Sequence, residues 1–204
     1  MRLDLSLYLI TDRGLCADHG LVETVAAAVR GGVTIVQLRD KHASDAELID
    51  QVRRLKAALA GSGVPLIIND RLEVARESGA DGLHIGQDDG DVEEARRVLG
   101  PDAILGLSVQ TREQLARLDP SALDYLGLGP VFATPSKHDH AKPLGFEGLA
   151  ALVAASPLLS VAIGGLKAEH VRPTRDAGAH GLAVISAICG QPDPQAAARA
   201  FFTT

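Results

Sequence analysis

The chain has 204 residues, 46% of them hydrophobic, and its Asp and Glu outnumber its Lys and Arg by 26 to 20, leaving a net charge of -6. That apolar share is enough for one sizeable core in a single domain over 1–204, while no apolar stretch is long enough to span a bilayer, so a membrane partner is excluded. With 3% aromatics, no Trp and an acidic balance, a nucleic-acid surface is excluded too, and any anion must be held locally.

Met1-Arg2-Leu3-Asp4 shows neither the basic start nor the long apolar run of a secretory signal, and the expected compartment is cytoplasmic. From there, eight short apolar runs follow one another at 7–11, 34–38, 65–68, 82–86, 103–107, 125–132, 161–163 and 181–186. They are near-continuous in Val, Ile, Leu and Gly, without alternation, which predicts strands covered on both faces by helices. Helical segments lie between them. The segment 21–30 stops at Gly31-Gly32, and Ser44-Asp45-Ala46-Glu47 is a capping box opening a helix that runs to Ala60 before Gly61. The segment 92–99 stops at Gly100, Thr111-Arg112-Glu113-Gln114 opens a short helix before Pro120, and 195–202 closes the series. Eight strand-plus-helix units of about 25 residues are close to the minimum for an α/β fold of the (β/α)8 TIM-barrel type.

In such a barrel the ends of the runs form the active-site rim, here Asp12, Arg39, Asp70, Asp89, Ser108, Thr134, Gly164 and Ile185 in turn. The near-copies Gly79-Ala80-Asp81-Gly82 and Gly178-Ala179-His180-Gly181 fall where a helix gives way to the next strand, so they belong to the opposite rim and to stability. Cys16 follows the first strand and Cys189 the eighth. Closure brings them near one another, as free thiols in a reducing compartment.

The rim chemistry begins at Gln37-Leu38-Arg39-Asp40-Lys41, where the strand period sends Gln37, Arg39 and Lys41 to one side. An amide and two cations suit a diphosphate, and a solvated strand end suits the pattern equally. Asn69-Asp70-Arg71 and Gly86-Gln87-Asp88-Asp89 then place carboxylates on consecutive units beside that basic end. Together they suit Mg2+, which takes a few carboxylate oxygens, keeps waters and shares phosphate oxygens; the alternative is helix N-capping. Thr134-Pro135-Ser136-Lys137, Gly164-Gly165 and Ile185-Ser186 end the last three strands, with hydroxyls, backbone N–H groups and a cation suited to a phosphate. His138-Asp139-His140 reads as a solvated loop, and His84 as an interior residue hydrogen-bonded in place without a chemical role. The rim offers no evident nucleophile paired with a base.

Taken together, 8–12, 37–41, Asn69-Asp70-Arg71, 81–89, 106–108, 127–137, 144–149, 162–166 and 183–188 resemble the thiamine phosphate synthase family over nearly the whole chain. The resemblance implies coupling of 4-amino-5-hydroxymethyl-2-methylpyrimidine diphosphate with a carboxylated thiazole phosphate, giving thiamine phosphate, diphosphate and carbon dioxide. It implies that Gln37, Leu38, Arg39, Asp40, Lys41, Asn69, Ser108 and Lys137 hold the pyrimidine diphosphate, with Arg39, Lys41, Ser108 and Lys137 catalytic and Asp70 and Asp89 binding Mg2+. It assigns Thr134, Pro135, Ser136, Gly164, Gly165, Ile185 and Ser186 to the thiazole phosphate. Asp40 stands where Glu is common and Ser136 where Thr is common. A dissociative loss of diphosphate needs no nucleophile. Two rivals are a related thiazole tautomerase, which needs no metal and diphosphate half, and a non-catalytic barrel that binds a thiamine precursor. The partners are small molecules, and a homo-oligomer is left open.

Overall fold

The computed structural model describes residues 3–134 and 142–203. Strand and helix alternate through β1 (Leu7–Ile10), α1 (Leu21–Arg30), β2 (Ile35–Leu38), α2 (Asp45–Leu59), β3 (Leu66–Asn69), α3 (Leu72–Ser78), β4 (Gly82–Ile85) and α4 (Val92–Leu99). They continue through β5 (Ile104–Val109), α5 (Arg112–Arg117), β6 (Tyr125–Leu128), α6 (Gly145–Ala155), β7 (Leu159–Ile163), α7 (Val171–Asp176), β8 (Gly181–Val184) and α8 (Pro194–Arg199). All eight strands are parallel, each pairs with its sequence neighbour, and β8 closes on β1. The predicted barrel is the observed one.

Local signals placed the helix ends well. The Ser44 hydroxyl accepts from Glu47 N–H while the Glu47 carboxylate accepts from Ser44 N–H at 2.7 Å, and Thr111 and Gln114 form a second such box. The final helical segment divides into α8 and a tighter turn over Ala200–Phe202. The sixth strand is shorter than predicted. Its ladder ends at Leu128, because Pro130 has no N–H to donate, and pairing with the β7 side resumes only at Val131.

Alternation along each strand divides the core in two. Leu7, Leu9, Val36, Leu38, Ile68 and Leu83 face the helices, whereas Tyr8, Ile10, Ile35, Ile67, Tyr125 and Val161 fill the barrel axis. A tyrosine fits on the axis because its neighbour on β5 is Gly106, whose Cβ would collide with the Tyr125 ring.

The N-terminal ends of the strands carry a fourfold motif. The residue just before each even strand, Thr34, Asp81, Asp124 and His180, gives its own N–H to the carbonyl of Leu7, Leu66, Leu105 and Ser160 respectively, on the preceding odd strand. Its side chain then accepts from the N–H of that same partner: Leu7 at 3.2 Å, Leu66 at 2.8 Å, Leu105 at 2.8 Å and Ser160 at 3.1 Å. Four starting N–H groups that no strand can satisfy are thereby paired. The two predicted stability turns supply Asp81 and His180 to this ring. Asp81 and Asp124 also bind Lys56 and Arg96 at 2.6 and 2.7 Å.

At the β1–β8 seam the two buried, free thiols meet, with Sγ atoms 3.5 Å apart. Hydrogen bonding to Cys189 leads the causes that bring the Cys16 thiol down to about 7, and the same contact with burial raises that of Cys189. Among the described residues no helix is long and apolar enough to cross a membrane.

Candidate active site

A cavity of about 940 Å³ opens at the C-terminal ends of the strands. Its wall is the inward-facing half of the upper barrel, in three tiers of four. The lowest tier is Gln37, His84, Gly127 and Ala183, the middle tier Ile10, Asn69, Ser108 and Ile163, and the uppermost Arg39, Gly86, Gly129 and Ile185. Each tier draws on alternate strands, as barrel closure requires. The tiers are chemically divided. The side of β2 to β5 presents the polar groups Gln37, Arg39, Asn69, His84 and Ser108, while β6 to β8 with β1 present glycines and aliphatic side chains.

The structure brings Gln37, Arg39, Asn69, Asp89, Ser108, Thr134, Gly164, Gly165, Ile185 and Ser186 to this one cavity. Pro135, Ser136, Lys137 and the loop His138-Asp139-His140 lie outside the described residues. Two side chains of the 37–41 segment turn away from the cavity. Leu38 is 1% exposed and packs toward the helices, because the same period that turns Gln37 and Arg39 inward turns Leu38 outward. Asp40 is buried and folds its own loop, its Oδ1 accepting from His42 N–H at 3.0 Å and Ala43 N–H at 3.2 Å, with Arg13 3.5 Å from Oδ2. Lys41 is exposed and does not line the cavity; its charge acts on Asp70.

Neither predicted metal aspartate caps a helix. Asp91 caps α4 by accepting from Glu94 N–H, and α3 starts at Arg71 without a side-chain cap. Asp70 is half-buried, with φ at 54°, the left-handed region that Asp and Asn tolerate best among side chains with a Cβ. Burial raises its pKa, the Asp89 charge raises it further, and Lys41 and Arg71 oppose both. Two carboxylates that repel one another beside two cations are a donor set an added divalent cation would relieve. Asp89 is held by Gly86 N–H at 2.7 Å, a fold-back possible only because a Cβ at Gly86 would sit 2.7 Å from its Oδ2. Among the described residues no cluster of three or more potential ligands exists. Asp88 is exposed and absent from the cavity wall.

Gly164 and Gly165 both have positive φ, and a Cβ on either would meet Pro130 or Phe132 within 3 Å. The pair is therefore first a requirement of a tight turn packed on the β6 loop, which presents its backbone to the cavity as a consequence.

Three groups escaped sequence reasoning. Gln87 ties the rim by donating to the Ser108 carbonyl at 2.6 Å, and Gln110 joins the wall. His84 is interior and hydrogen-bonded in place, as expected, but it also lines the cavity, with Nε2 2.9 Å from Ser108 Oγ and Nδ1 2.9 Å from the Tyr125 hydroxyl. A serine beside a histidine is the pairing that the rim was expected to lack. Parity was the available signal, since His84 and Ser108 both fall on inward positions of adjacent strands.

The family model described as thiamine monophosphate synthase matches residues 7–188. A thiamine-phosphate synthase of a Psychrobacter species is 55% identical over 95% of this chain and 92% of its own length. One from Azorhizobium caulinodans is 52% identical over 98% of this chain and 94% of its own. A solved thiamine phosphate pyrophosphorylase from Pyrococcus furiosus superposes with a TM-score of 0.89 at 34% identity, covering 99% of this chain and 96% of that one. With its barrel, its divided cavity and this likeness along its whole length, the chain belongs to the thiamine monophosphate synthase family.

Proposed function

We propose that the chain is a transferase that joins a hydroxymethylpyrimidine diphosphate to a thiazole phosphate, forming thiamine phosphate and releasing diphosphate. The observation that carries the reading is the division of one cavity into a polar half on β2 to β5 and a glycine and aliphatic half on β6 to β8, whose following loops add the hydroxyls of Thr134 and Ser186. Two anionic substrates need two separate sets of donors facing one space. Gln37, Arg39, Asn69 and Ser108 would hold the diphosphate ester, with Lys41 adding charge at the rim; Thr134, Ser186 and the backbone of Gly164, Gly165 and Ile185 would hold the thiazole phosphate.

Asp70 and Asp89 would hold Mg2+, which when bound neutralises charge on the departing diphosphate. The chain itself aligns the thiazole nitrogen with the pyrimidine methylene carbon, and Arg39 and Ser108 stabilise the leaving group as its C–O bond breaks. Aliphatic Ile10, Ile163 and Ile185 line the same cavity and would keep water from the reacting carbon. The test is to mix both substrates with Mg2+ and purified protein and measure thiamine phosphate and diphosphate. Formation of both in equal amounts supports the reading; binding of both ligands without product would make the barrel a carrier or sensor instead.

A further inference from the structure

Five polar side chains on five different strands touch in single file through the barrel. Gln37 Nε2 donates to the Tyr8 hydroxyl at 2.8 Å, and Tyr8 and Tyr125 hydroxyls lie 2.8 Å apart. The file continues at 2.9 Å from Tyr125 to His84 Nδ1 and at 2.9 Å from His84 Nε2 to Ser108 Oγ. Its members are buried, and both ends line the cavity. Room is made for the two rings on β4 and β6 by glycines, Gly106 against Tyr125 and Gly127 with its Cβ position 3.2 Å from His84 Cε1.

Such a file has two self-consistent polarities, and they give Ser108 opposite chemistry. If Ser108 donates to His84 Nε2, the histidine is a base and Ser108 an activated nucleophile. If the protons run the other way, Nε2 carries the hydrogen and Ser108 keeps its own for the cavity. The Gln37 end decides between them. A Tyr8 hydroxyl that accepts from the Gln37 amide must give its proton to Tyr125, Tyr125 must give to Nδ1, and Nε2–H is left to donate to Ser108. Burial raises both phenols far above their ordinary value, so each has a proton to pass along the file.

We infer that this file runs one way, from Gln37 to Ser108, and that His84 is a positioning residue whose Nε2–H tautomer holds Ser108 as a hydrogen-bond donor into the cavity. At the other end, Gln37 is left with its carbonyl oxygen free to accept from a ligand. Only the identity of what Ser108 donates to, the leaving diphosphate, rests on the synthase reading.

The first measurement is the 15N spectrum of the imidazole in substrate-free protein near neutral pH, which needs neither activity nor a variant beyond the one used to assign His84. A proton on Nε2 is expected. A proton on Nδ1, or on both nitrogens, overturns the inference. Gln37→Glu replaces the amide donor with an acceptor, so the file should reverse and the proton should move to Nδ1 of His84; a tautomer unmoved in the folded variant overturns the one-way chain. A serine-reactive fluorophosphonate separates donor from nucleophile: Ser108 should stay unlabelled, and its labelling would make it the base-activated nucleophile instead. In turnover, His84→Ala should lower kcat about 10–100-fold with the KM for thiazole phosphate little changed. His84→Gln, which can donate but cannot serve as a base, should recover most of that loss. No recovery in a folded His84→Gln protein would count against positioning. Loss of the synthase activity altogether would leave the tautomer and labelling results standing on their own.

Discussion

The two ends of the barrel use similar residues for opposite purposes. At the N-terminal ends of the strands, Asp81 and Asp124 are saturated, each held by a cation and by a strand N–H, as one of four repeats of a single motif. At the C-terminal ends, the charge of Asp89 acts on Asp70, where burial and that like charge push the pKa upward. A carboxylate already paired with a cation and a strand N–H gains little from a further ligand, whereas one held beside a like charge gains most when a cation or substrate arrives.

The largest test of that contrast is catalytic. Asp89→Ala or Asp70→Asn should cut turnover about 100-fold or more, as does removal of a single charge-stabilising donor, and raise the Mg2+ requirement, while Asp88→Ala stays near the parent. Turnover of folded variants across a magnesium titration checks it. A crippled Asp88→Ala beside a normal Asp89→Ala would reverse the metal assignment.

Next in size is the division within the C-terminal end itself. Ser186→Glu sets a carboxylate beside the proposed thiazole-phosphate position and should weaken its binding at least about tenfold, equivalent to roughly 1.4 kcal/mol. The pyrimidine diphosphate should be affected far less, and calorimetry with each substrate alone measures both. Equal losses would mean that the cavity is one site.

At the other end the effect moves from rate to stability. Asp124→Ala strands the buried N–H of Leu105 and should cost about 1–3 kcal/mol, lowering Tm by about 2–4 °C for each kcal/mol, with kcat unchanged. A fall in kcat at unchanged Tm would break the separation of the two ends.

The smallest effect joins both. Because the fold raises the Asp70 pKa, its ionisation destabilises the protein: nothing is lost below the unfolded value of about 3.9, and the full penalty applies above the folded value. In protein freed of metal, Asp70→Asn should therefore melt higher than the parent, the gap opening as pH rises through the carboxylate range and then holding level. Thermal melts in chelator across pH would show it, and a variant that melts lower throughout would mean that Asp70 is satisfied after all.

Much of this was legible along the chain. The capping boxes at Ser44 and Thr111 and the stops at Gly31 and Gly100 act within four residues, and they are seen where the residues put them. The order of eight runs gave the barrel, and clustering at their ends gave ten of the cavity residues. The side chains of Leu38 and Asp40 are buried away from the cavity, because alternate members of the 37–41 segment face opposite sides. His84 is interior and hydrogen-bonded as expected, but the identity of its partners was not legible. Its partners Tyr125 and Ser108 are 41 and 24 residues away, and Tyr8 meets Tyr125 across 117.

The sequence by itself determined the elements, their order and the rim at which chemistry collects, since propensity, capping and period operate between near neighbours. Only the closed barrel decided which side chains share the axis, which aspartates are paired with a cation and which meet a like charge. Closure sets inward-facing residues of distant strands against each other on the barrel axis, where buried polar groups take their partners from across the barrel.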